Sequence, residues 1–301
     1  MTVIAPVRYE LRFWQWRGWR TRYLFRRGAG ELPVLCVHGF GASGEHWRDN
    51  LPDLAELGTS YAIDLVGFGR SQKPAVRYHI RLWVQQIYEF WQEFIGVPAL
   101  LIGNSIGALA VAIAAHEYPQ MARGLVCISL PDVDQLQAMI PAPVRPLQQA
   151  VAWLLASLLA KPIFFVVRSP TVIRNVLKTG VYVNNSDRVD EELVKIICDP
   201  TLDPEAPEAF LRLSRSLNQP HYSPSLITAL QELTIPVLIL WGTRDMAIPP
   251  VEGKRLVQFL QDGELIYLEN LGHCPHDEAP EQVNRIIKEW SARKFTTLSP
   301  A

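Results

Sequence analysis

A serine stands at the centre of a short turn that glycine bounds on both sides. Residues 100–117 read LLIGNSIGALAVAIAAHE, which is an apolar strand pattern, a tight GNSIG turn and an alanine-rich helix pattern. A G-x-S-x-G turn between a strand and a helix is typical of a nucleophilic serine, since the flanking glycines relieve clashes around a strained backbone. The simpler interpretation is that Ser105 caps the helix. A cap does not require both Gly103 and Gly107, so the spacing favours a nucleophile.

A serine hydroxyl is a weak nucleophile and needs a general base that an acid holds in place. His273 follows the apolar run ELIYLE, and Asp245 follows the apolar run PVLILWG. One large group of serine hydrolases uses the chain order serine, acid, histidine. In that arrangement His273 accepts the proton of Ser105 and returns it to the leaving alcohol, while Asp245 orients the imidazole and stabilises its charged form.

Other residues compete for these roles. His276 lies three residues beyond His273, and Asp132 follows the apolar run GLVCISL, another strand end where an acid can stand. Both alternatives remain open, although we favour His273 and Asp245. We expect His38 to brace its loop by hydrogen bonds and Asp64 to accept hydrogen bonds from neighbouring loop amides.

Acyl transfer also requires two donors for the oxyanion of the tetrahedral intermediate. We expect the backbone N–H groups of Ile106 and Phe40 to supply them, the second from the glycine-rich loop VHGFGASGEHW at 37–47. Loss of one such donor typically lowers the rate ~10²–10³-fold. A second glycine-rich stretch, LVGFGRS at 65–71, lacks the G-K-[ST] of a phosphate loop and is interpreted as structural.

Six continuous apolar runs alternate with helical patterns. Runs without polar alternation are typical of strands that are covered on both faces, as in a parallel sheet. The runs occupy residues 32–37, 60–65, 98–103, 124–130, 236–241 and 264–269. Two earlier runs meet at Arg17-Gly18 as a hairpin, and Pro280 begins a closing helix over 280–290. The alternation predicts an α/β fold with a mostly parallel, doubly wound sheet.

When the two hairpin strands are counted, the sixth strand is the run at 124–130. A long helical stretch follows it before the next strand. We interpret this stretch as a lid over the carboxyl edge of the sheet, where open α/β sheets bind ligands. The expected division is a core of 1–130 and 234–294, a lid of 131–233 and a disordered tail of 295–301.

Length and composition indicate a soluble globular protein. The chain has 301 residues, of which 49% are hydrophobic, and its net charge is -1. Such a charge gives no general attraction to nucleic acid. The four widely spaced cysteines show no metal-ligand spacing, and this pattern favours a reducing compartment. We expect neither a secretory signal nor a transmembrane helix, and therefore a cytoplasmic protein.

Two stretches raise the question of a lipid contact. Residues 1–30 carry a net charge of +6, with Trp14, Trp16 and Trp19 among the arginines. These tryptophans either touch anionic headgroups or pack inward from a solvated hairpin. In the lid, AVAWLLASLLA at 150–160 is apolar on every side but too short to span a bilayer. It is either buried under the lid or exposed to a hydrocarbon or a membrane. Expected substrate contacts are Trp153, Leu154, Phe164 and Phe165.

Three blocks of sequence resemble the chlorophyll dephytylase and pheophytinase group of the α/β-hydrolase superfamily. They are GNSIGALA at 103–110, NVLKTGVYVNNSDRVDEELVKII at 175–197 and GHCPHDEAPEQVN at 272–284. The resemblance implies an α/β-hydrolase fold and hydrolysis of the phytyl ester of chlorophyll or pheophytin, with Ser105, Asp245 and His273 as the triad. It implies no cofactor, since any magnesium belongs to the pigment. The plant proteins carry plastid transit peptides and this chain does not, which favours a cyanobacterial type with peripheral thylakoid contact left open.

Two other functions remain as alternatives to a serine esterase. A C–C bond hydrolase of vinylogous ketones would need a carboxylate-binding cavity, for which Arg145, Arg168 and Arg174 are the lid's candidates. A non-catalytic pigment- or terpenoid-binding protein would have no need of an intact Ser-Asp-His set. The hydroxyl at Ser105 excludes the carboxylate nucleophile of epoxide hydrolases and haloalkane dehalogenases. The oligomeric state is not predicted.

Overall fold

The computed structural model describes residues 8–138, 157–217 and 222–295. Eight strands lie within these residues: β1 Glu10–Trp16, β2 Trp19–Glu31, β3 Val34–Val37, β4 Gly58–Ile63, β5 Ala99–Asn104, β6 Ala122–Ile128, β7 Val237–Gly242 and β8 Gly263–Leu268. They form one sheet in the order β1-β2-β4-β3-β5-β6-β7-β8. Only the pairs β1–β2 and β2–β4 are antiparallel, and the other five are parallel. The predicted mostly parallel sheet is confirmed.

Helices cover both faces of the sheet and form the insertion. Their ranges are α1 Leu51–Leu54, α2 Ile80–Phe94, α3 Ile106–Glu117, α4 Val133–Ala138, α5 157–167, α6 Pro170–Val176, α7 Glu191–Cys198, α8 Ala206–Leu217, α9 Leu226–Glu232, α10 Val251–Leu256, α11 Pro275–Glu278 and α12 Pro280–Phe295. Buried side chains of α2, α3, α9 and α10 pack on one face, and those of α1 and α12 pack on the other. The sheet is therefore doubly wound, as predicted.

The short strand β3 shows why the central runs are continuously apolar. Leu35 and Val37 belong to the core on one face, while Val34 and Cys36 belong to the core on the other, and all four are fully buried. Successive strand side chains point to opposite faces. A strand buried on both faces therefore needs an apolar residue at every position.

The amino-terminal hairpin turns its tryptophans inward. Its turn has positive φ at both Arg17 (52°) and Gly18 (83°), as the tight two-residue turn of a hairpin requires. Trp16 is buried and donates from Nε1 to a carboxylate oxygen of Glu89 at 2.7 Å. Trp14 packs edge-on against Phe90 of α2, with 5.8 Å between ring centroids. Of the two interpretations of these tryptophans, inward packing is the one found.

The insertion follows the sixth strand, as predicted, and supplies α4 to α8 before β7 begins. Helix α9 packs with the core, because Leu226, Ala229 and Leu230 join the main hydrophobic cluster, although the sequence interpretation groups this helix with the lid. Helix α12 continues to Phe295, and the rest of the predicted tail lies outside the described residues. No helix among residues 8–138, 157–217 and 222–295 has the length and apolar character needed to cross a bilayer.

Asp64, at the end of β4, organises the loops at the carboxyl edge of the sheet. Its buried carboxylate accepts hydrogen bonds from the backbone N–H groups of Gly44 and Arg70, each at 2.7 Å. The expected bonds to loop amides are thus present. Arg22 of β2 is buried as well and donates from Nε to Asp64 at 2.7 Å. One of the amino-terminal arginines is therefore an interior partner rather than a surface charge.

Replacement of Asp64 by alanine should leave the Arg22 guanidinium buried without its main counter-ion. Breaking a buried ion pair from one side typically costs about 3–5 kcal/mol of unfolding free energy. Denaturant unfolding of Asp64→Ala would measure the loss. The control, Glu10→Ala, removes the exposed pair with Arg12 and should cost about 0–1 kcal/mol. Equal effects of the two substitutions would contradict the role of Asp64.

Candidate active site

Ser105 lies between β5 and α3 in a backbone conformation that side chains rarely adopt. Its φ is 54° and its ψ is -123°, which places it outside the helical and extended regions. The turn is held at both ends, because the Ser105 N–H donates to the Ile128 carbonyl at 2.9 Å and the Ser105 carbonyl accepts from the Leu109 N–H at 3.1 Å. The Ser105 hydroxyl makes no capping hydrogen bond to α3. The helix-cap interpretation is therefore excluded.

The two glycines of the turn leave no room for a side chain. A Cβ at Gly103 would overlap the carbonyl oxygen of Gly107, and a Cβ at Gly107 would overlap the carbonyl oxygens of Val37 and His38. Helix α3, strand β5 and the end of β3 thus pack backbone against backbone. This close packing keeps Ser105 in its strained geometry.

His273 and Asp245 meet at the same edge of the sheet. The Nδ1 atom of His273 lies 2.9 Å from Oδ2 of Asp245, whose side chain is fully buried. The other carboxylate oxygen accepts from the backbone N–H groups of Ala247 and Ile248, each at 2.9 Å. Because the carboxylate can only accept, His273 carries its proton on Nδ1 and leaves Nε2 free to act as a base.

The carboxylate of Asp245 is held in its charged form. Burial alone would raise its pKa, but the hydrogen bond and charge of His273 outweigh burial, with further help from the Ile248 N–H and the Ser129 hydroxyl. The pKa of Asp245 therefore lies below its ordinary value. An ionised partner at this position favours the positive imidazolium that forms when His273 accepts a proton.

The backbone of His273 is clamped from three sides. Its carbonyl accepts from the Asn104 side-chain amide at 3.1 Å and from the Ser129 hydroxyl at 3.2 Å. Its N–H donates to the carbonyl of Val181, in the lid, at 3.1 Å. Asn104 directly precedes Ser105, so the serine turn and the histidine loop are in contact. Sequence reasoning missed these positioning residues, although Asn104 is part of the GNSIG turn.

Glu278 connects the histidine loop to the lid. Its buried carboxylate accepts from the Gly272 N–H at 2.7 Å and from the N–H groups of Asn184 and Asn185 at 2.9 and 3.2 Å. A Cβ on Gly272 would overlap the Val181 carbonyl, so the lid approaches this loop closely. Two of the sequence blocks quoted for the resemblance, 175–197 and 272–284, therefore pack against each other.

The competing residues have other partners. Asp132 accepts from the Arg255 guanidinium at 2.7 Å and from the Gln135 N–H at 3.2 Å. His276 is buried against Trp47, with ring centroids 4.2 Å apart and no hydrogen-bond partner for either ring nitrogen among the described residues. His38 donates from Nδ1 to the Gly39 carbonyl at 2.8 Å and accepts from the Leu65 N–H at 3.1 Å, which is the expected bracing role.

The loop after β3, which contains Phe40, lies against the serine turn. The Ala42 N–H closes a turn on the Gly39 carbonyl at 3.3 Å, and Gly41 has a φ of 73°, as in a type II turn. A Cβ on Gly39 would lie 3.3 Å from the Cβ of Ser105. Ile106 is the first residue of α3, where backbone N–H groups have no partner within the helix. Both expected oxyanion donors thus lie on segments that adjoin Ser105.

A largely apolar cavity of about 300 Å³ lies between the core loops and the lid, with Phe40 in its wall. Of the expected substrate contacts, Phe164 lines this cavity, whereas Phe165 does not and instead lies on the exposed side of α5. Trp153 and Leu154 lie outside the described residues. Gly67 and Phe68 also line the cavity, so the loop interpreted as purely structural contributes to the site.

The cavity wall also contains Lys73, which is neutralised locally. Its ammonium donates to the Gly69 carbonyl at 2.9 Å and to the Asp203 carboxylate at 3.0 Å. Among the other lid cations, Arg174 donates to Glu191 at 2.7 Å, and Arg145 lies outside the described residues. Arg168 also lines the cavity, and among the described residues it forms no ion pair with an acid. The cavity is suited to hydrocarbon more than to a carboxylate.

A buried polar network lies behind the histidine loop. The Tyr182 hydroxyl donates to Asp277 at 2.8 Å and accepts from Nε2 of His46 at 2.8 Å. Arg48 and Arg188 donate to the other oxygen of Asp277 at 3.2 and 3.1 Å. The network joins the loop after β3, the lid and α11. It is a second attachment of the lid to the core.

The four cysteines are free and buried. Cys274, next to His273, places its sulfur 3.7 Å from the side-chain oxygen of Asn104. Burial raises the pKa of Cys274 well above its ordinary value, so the group is a neutral thiol that supports the clamp. Within the described residues, no group of His, Cys, Asp and Glu is arranged to hold a metal ion.

Replacement of Glu278 by alanine should weaken the attachment between the lid and the histidine loop. The buried Gly272 N–H would lose its acceptor, which typically costs about 1–3 kcal/mol of unfolding free energy. Denaturant unfolding would measure this loss, and Glu278→Gln, which keeps an acceptor, should lose less.

The control for this prediction is Glu281→Ala, which changes an exposed residue nearby. A surface substitution of this kind should leave the unfolding free energy within about 0.5 kcal/mol of its original value. A Glu278→Ala chain as stable as this control would contradict the assignment.

His46 should make stability depend on pH. Burial lowers its pKa from 6.5 to about 4, so the unfolded chain takes up a proton that the folded chain excludes. Above pH 6.5 the neutral His46 costs no stability. As the pH falls from 6.5 towards 4, the unfolding free energy decreases by about 3 kcal/mol in all. Unfolding free energies measured from pH 7 to pH 4 should fall less steeply in His46→Gln. The partly exposed control His116→Gln should keep the original slope, and a His46→Gln slope equal to it would refute the assignment.

Comparison with known proteins places the chain in a large enzyme family. It is 24% identical over 297 residues to the chloroplast pheophytinase of Arabidopsis thaliana, covering 85% of this chain and 60% of that protein. This chain therefore spans less than two thirds of that relative. Among solved structures, a membrane phospholipase A described as a bacterial virulence factor superposes with a TM-score of 0.73 at 24% identity, covering 94% and 85% of the two chains.

A meta-cleavage product hydrolase from Pseudomonas fluorescens superposes with a TM-score of 0.71 at 19% identity, covering 94% and 97% of the two chains. At these identities the structural likeness establishes the fold alone. The sequence model of the alpha/beta hydrolase family matches residues 34–286, which is most of the chain. The serine turn, the strand order and this match agree, and the protein belongs to the alpha/beta hydrolase family.

Proposed function

We propose that the protein is a serine hydrolase that cleaves a carboxylic ester with a large apolar group. The observation that carries the proposal is the strained Ser105 turn, in contact with the loop of a His273–Asp245 pair. A mostly apolar cavity, with Phe40 of the adjoining loop in its wall, supports it. The catalytic residues proposed are Ser105 as nucleophile, His273 as general base and acid, and Asp245 as its partner. The oxyanion donors proposed are the N–H groups of Phe40 and Ile106.

The proposed reaction proceeds through an acyl-enzyme. Oγ of Ser105 attacks the ester carbonyl while Nε2 of His273 takes its proton, and the N–H groups of Phe40 and Ile106 stabilise the oxyanion. Collapse of the tetrahedral intermediate breaks the ester bond, and His273 returns the proton to the leaving alcohol. A water then gives one proton to His273 and its oxygen to the acyl carbon. Release of the acid returns the proton to Ser105.

The size and lining of the cavity support an apolar ester. Small-molecule pockets commonly enclose roughly 300 to 1000 Å³. A cavity of about 300 Å³ lies at the lower end of that range and suits a hydrocarbon chain better than a tetrapyrrole ring. We propose the phytyl ester of chlorophyll or pheophytin as substrate, with the chain in the cavity and the ring at its mouth. The sequence blocks that resemble dephytylases and the similarity to a protein named pheophytinase support this choice.

Replacement of Ser105 by alanine should abolish turnover while leaving the fold intact. The purified chain would be incubated in mild detergent with chlorophyll a and, separately, with pheophytin a, and chromatography would quantify dephytylated pigment and phytol. Loss of a nucleophilic serine typically lowers kcat by about 10⁵–10⁶-fold. The matched control is Ser186→Ala, which changes an exposed serine of the lid and should retain full activity.

Each outcome of this experiment distinguishes part of the proposal. Undiminished turnover by Ser105→Ala would overturn the mechanism. Serine-dependent cleavage of simple acyl esters, with neither pigment cleaved, would keep the esterase and withdraw the phytyl substrate. Turnover of dienone acids without ester cleavage would favour the C–C bond hydrolase instead. Tight pigment binding that is insensitive to Ser105→Ala, with no product, would favour a binding protein.

A further inference from the structure

The outer face of the lid exposes large apolar side chains. On α5, Leu158 and Val166 are each 63% exposed and Phe165 is 53% exposed, and Val176 of α6 is 54% exposed. Leu159 and Ile163 of α5 are also exposed. We call these residues the outer lid face. A contiguous apolar surface of this kind commonly marks an interaction site.

The sequence segment that carries the outer lid face is cationic. Residues 135–186 contain no aspartate or glutamate but five cations: Arg145, Lys161, Arg168, Arg174 and Lys178. Arg168 stands over the ring of Phe165, with its guanidinium carbon 4.6 Å from the ring centroid. Lys161 pairs with Glu208 and Arg174 pairs with Glu191, each at 2.7 Å, whereas Lys178 is exposed just beyond the end of α6. Long cationic side chains can lie along an apolar surface and present their charge at its edge.

The outer lid face is continuous with the mouth of the cavity. Val167 and Val176 line the cavity and are also exposed at the surface, so they form part of its rim. Phe164 lines the cavity from within, and its ring packs edge-on against the exposed ring of Phe165, with 5.8 Å between centroids. An apolar molecule at this surface can therefore reach the cavity without leaving an apolar environment.

We infer that the outer lid face docks on a lipid bilayer that contains anionic headgroups. Its apolar side chains enter the boundary between headgroups and acyl chains, and Arg168 and Lys178 contact lipid phosphates. The segment carries no acid that the negative surface would repel. A second copy of the chain is a poorer occupant, because a symmetric contact would bring the same cations together. The inference goes beyond the proposed function, since docking requires no catalysis.

The test uses the full chain carrying Ser105→Ala, so that binding is measured without turnover. Flotation with vesicles of phosphatidylcholine alone, and of phosphatidylcholine with phosphatidylglycerol, would give the partition coefficient of each variant. We expect stronger binding to the anionic vesicles, weakened by salt. Leu158→Ser with Val166→Ser should lower the partition coefficient at least about tenfold, because the variant loses two apolar side chains that would be buried in the bilayer. Lys178→Gln should lower it about fivefold, and only on anionic vesicles.

The matched control is Leu11→Ser with Phe13→Ser on the amino-terminal hairpin. These residues are 51% and 49% exposed and lie among arginines, so they offer a rival lipid surface of similar chemistry. The control should bind as the unsubstituted chain does. In the chain that retains Ser105, the lid pair should leave hydrolysis of a soluble short ester unchanged, because neither residue lines the cavity.

Four results would overturn the inference. They are binding to neither vesicle, equal binding with and without the lid substitutions, loss of binding in the hairpin control instead, and a dimer in sedimentation velocity that the lid substitutions abolish. The last would assign the face to contact between copies. Because the vesicle experiment uses a chain without the nucleophile, its outcome is independent of whether either pigment is cleaved.

Discussion

The close backbone packing around Ser105 is the constraint on which the rest of the site depends. A positive φ at a serine costs about 1–3 kcal/mol and persists only where the surroundings hold it. Here the Gly103 and Gly107 backbones meet β3, β5 and α3 with no space for a Cβ. Helix α3 is consequently sunk between the sheet, α2 and α9, and is buried from Ile106 to Ala115. The apolar character of α3 on every side follows from this depth.

The lid supports the candidate site as well as covering it. Its carbonyl at Val181 accepts from the His273 N–H, and Glu278 binds the two amides at Asn184 and Asn185. The Tyr182–Asp277 contact adds a second attachment nearby. The histidine loop is therefore positioned partly by the insertion, and a lid that moved as a unit would disturb the general base. The attached part begins near Val181, whereas the apolar outer lid face lies on α5 and α6.

Aromatic and cationic residues have different surroundings in the amino-terminal hairpin and in the lid. In the hairpin, Trp16 is buried and Arg22 is neutralised by Asp64, so the sequence's basic amino-terminal stretch is partly interior. In the lid, Phe165 and Val166 remain exposed, and the Arg168 guanidinium lies over the Phe165 ring. Similar composition in the two stretches therefore leads to different surfaces, because the hairpin has α2 to pack against.

The sequence by itself determined the strand order along the chain, the insertion after the sixth strand and the pairing of a serine turn with a histidine and an acid at strand ends. These features follow from local periodicity and from glycine at positions where a side chain would clash. Only the tertiary structure decided that Asp245 rather than Asp132 meets His273, that the tryptophans turn inward, and that Val181 and Glu278 hold the histidine loop. Each of these depends on which distant segments meet. Asp132, for example, pairs with Arg255, while Asp245 is the acid that lies against His273, and local sequence pattern could not distinguish these two acids.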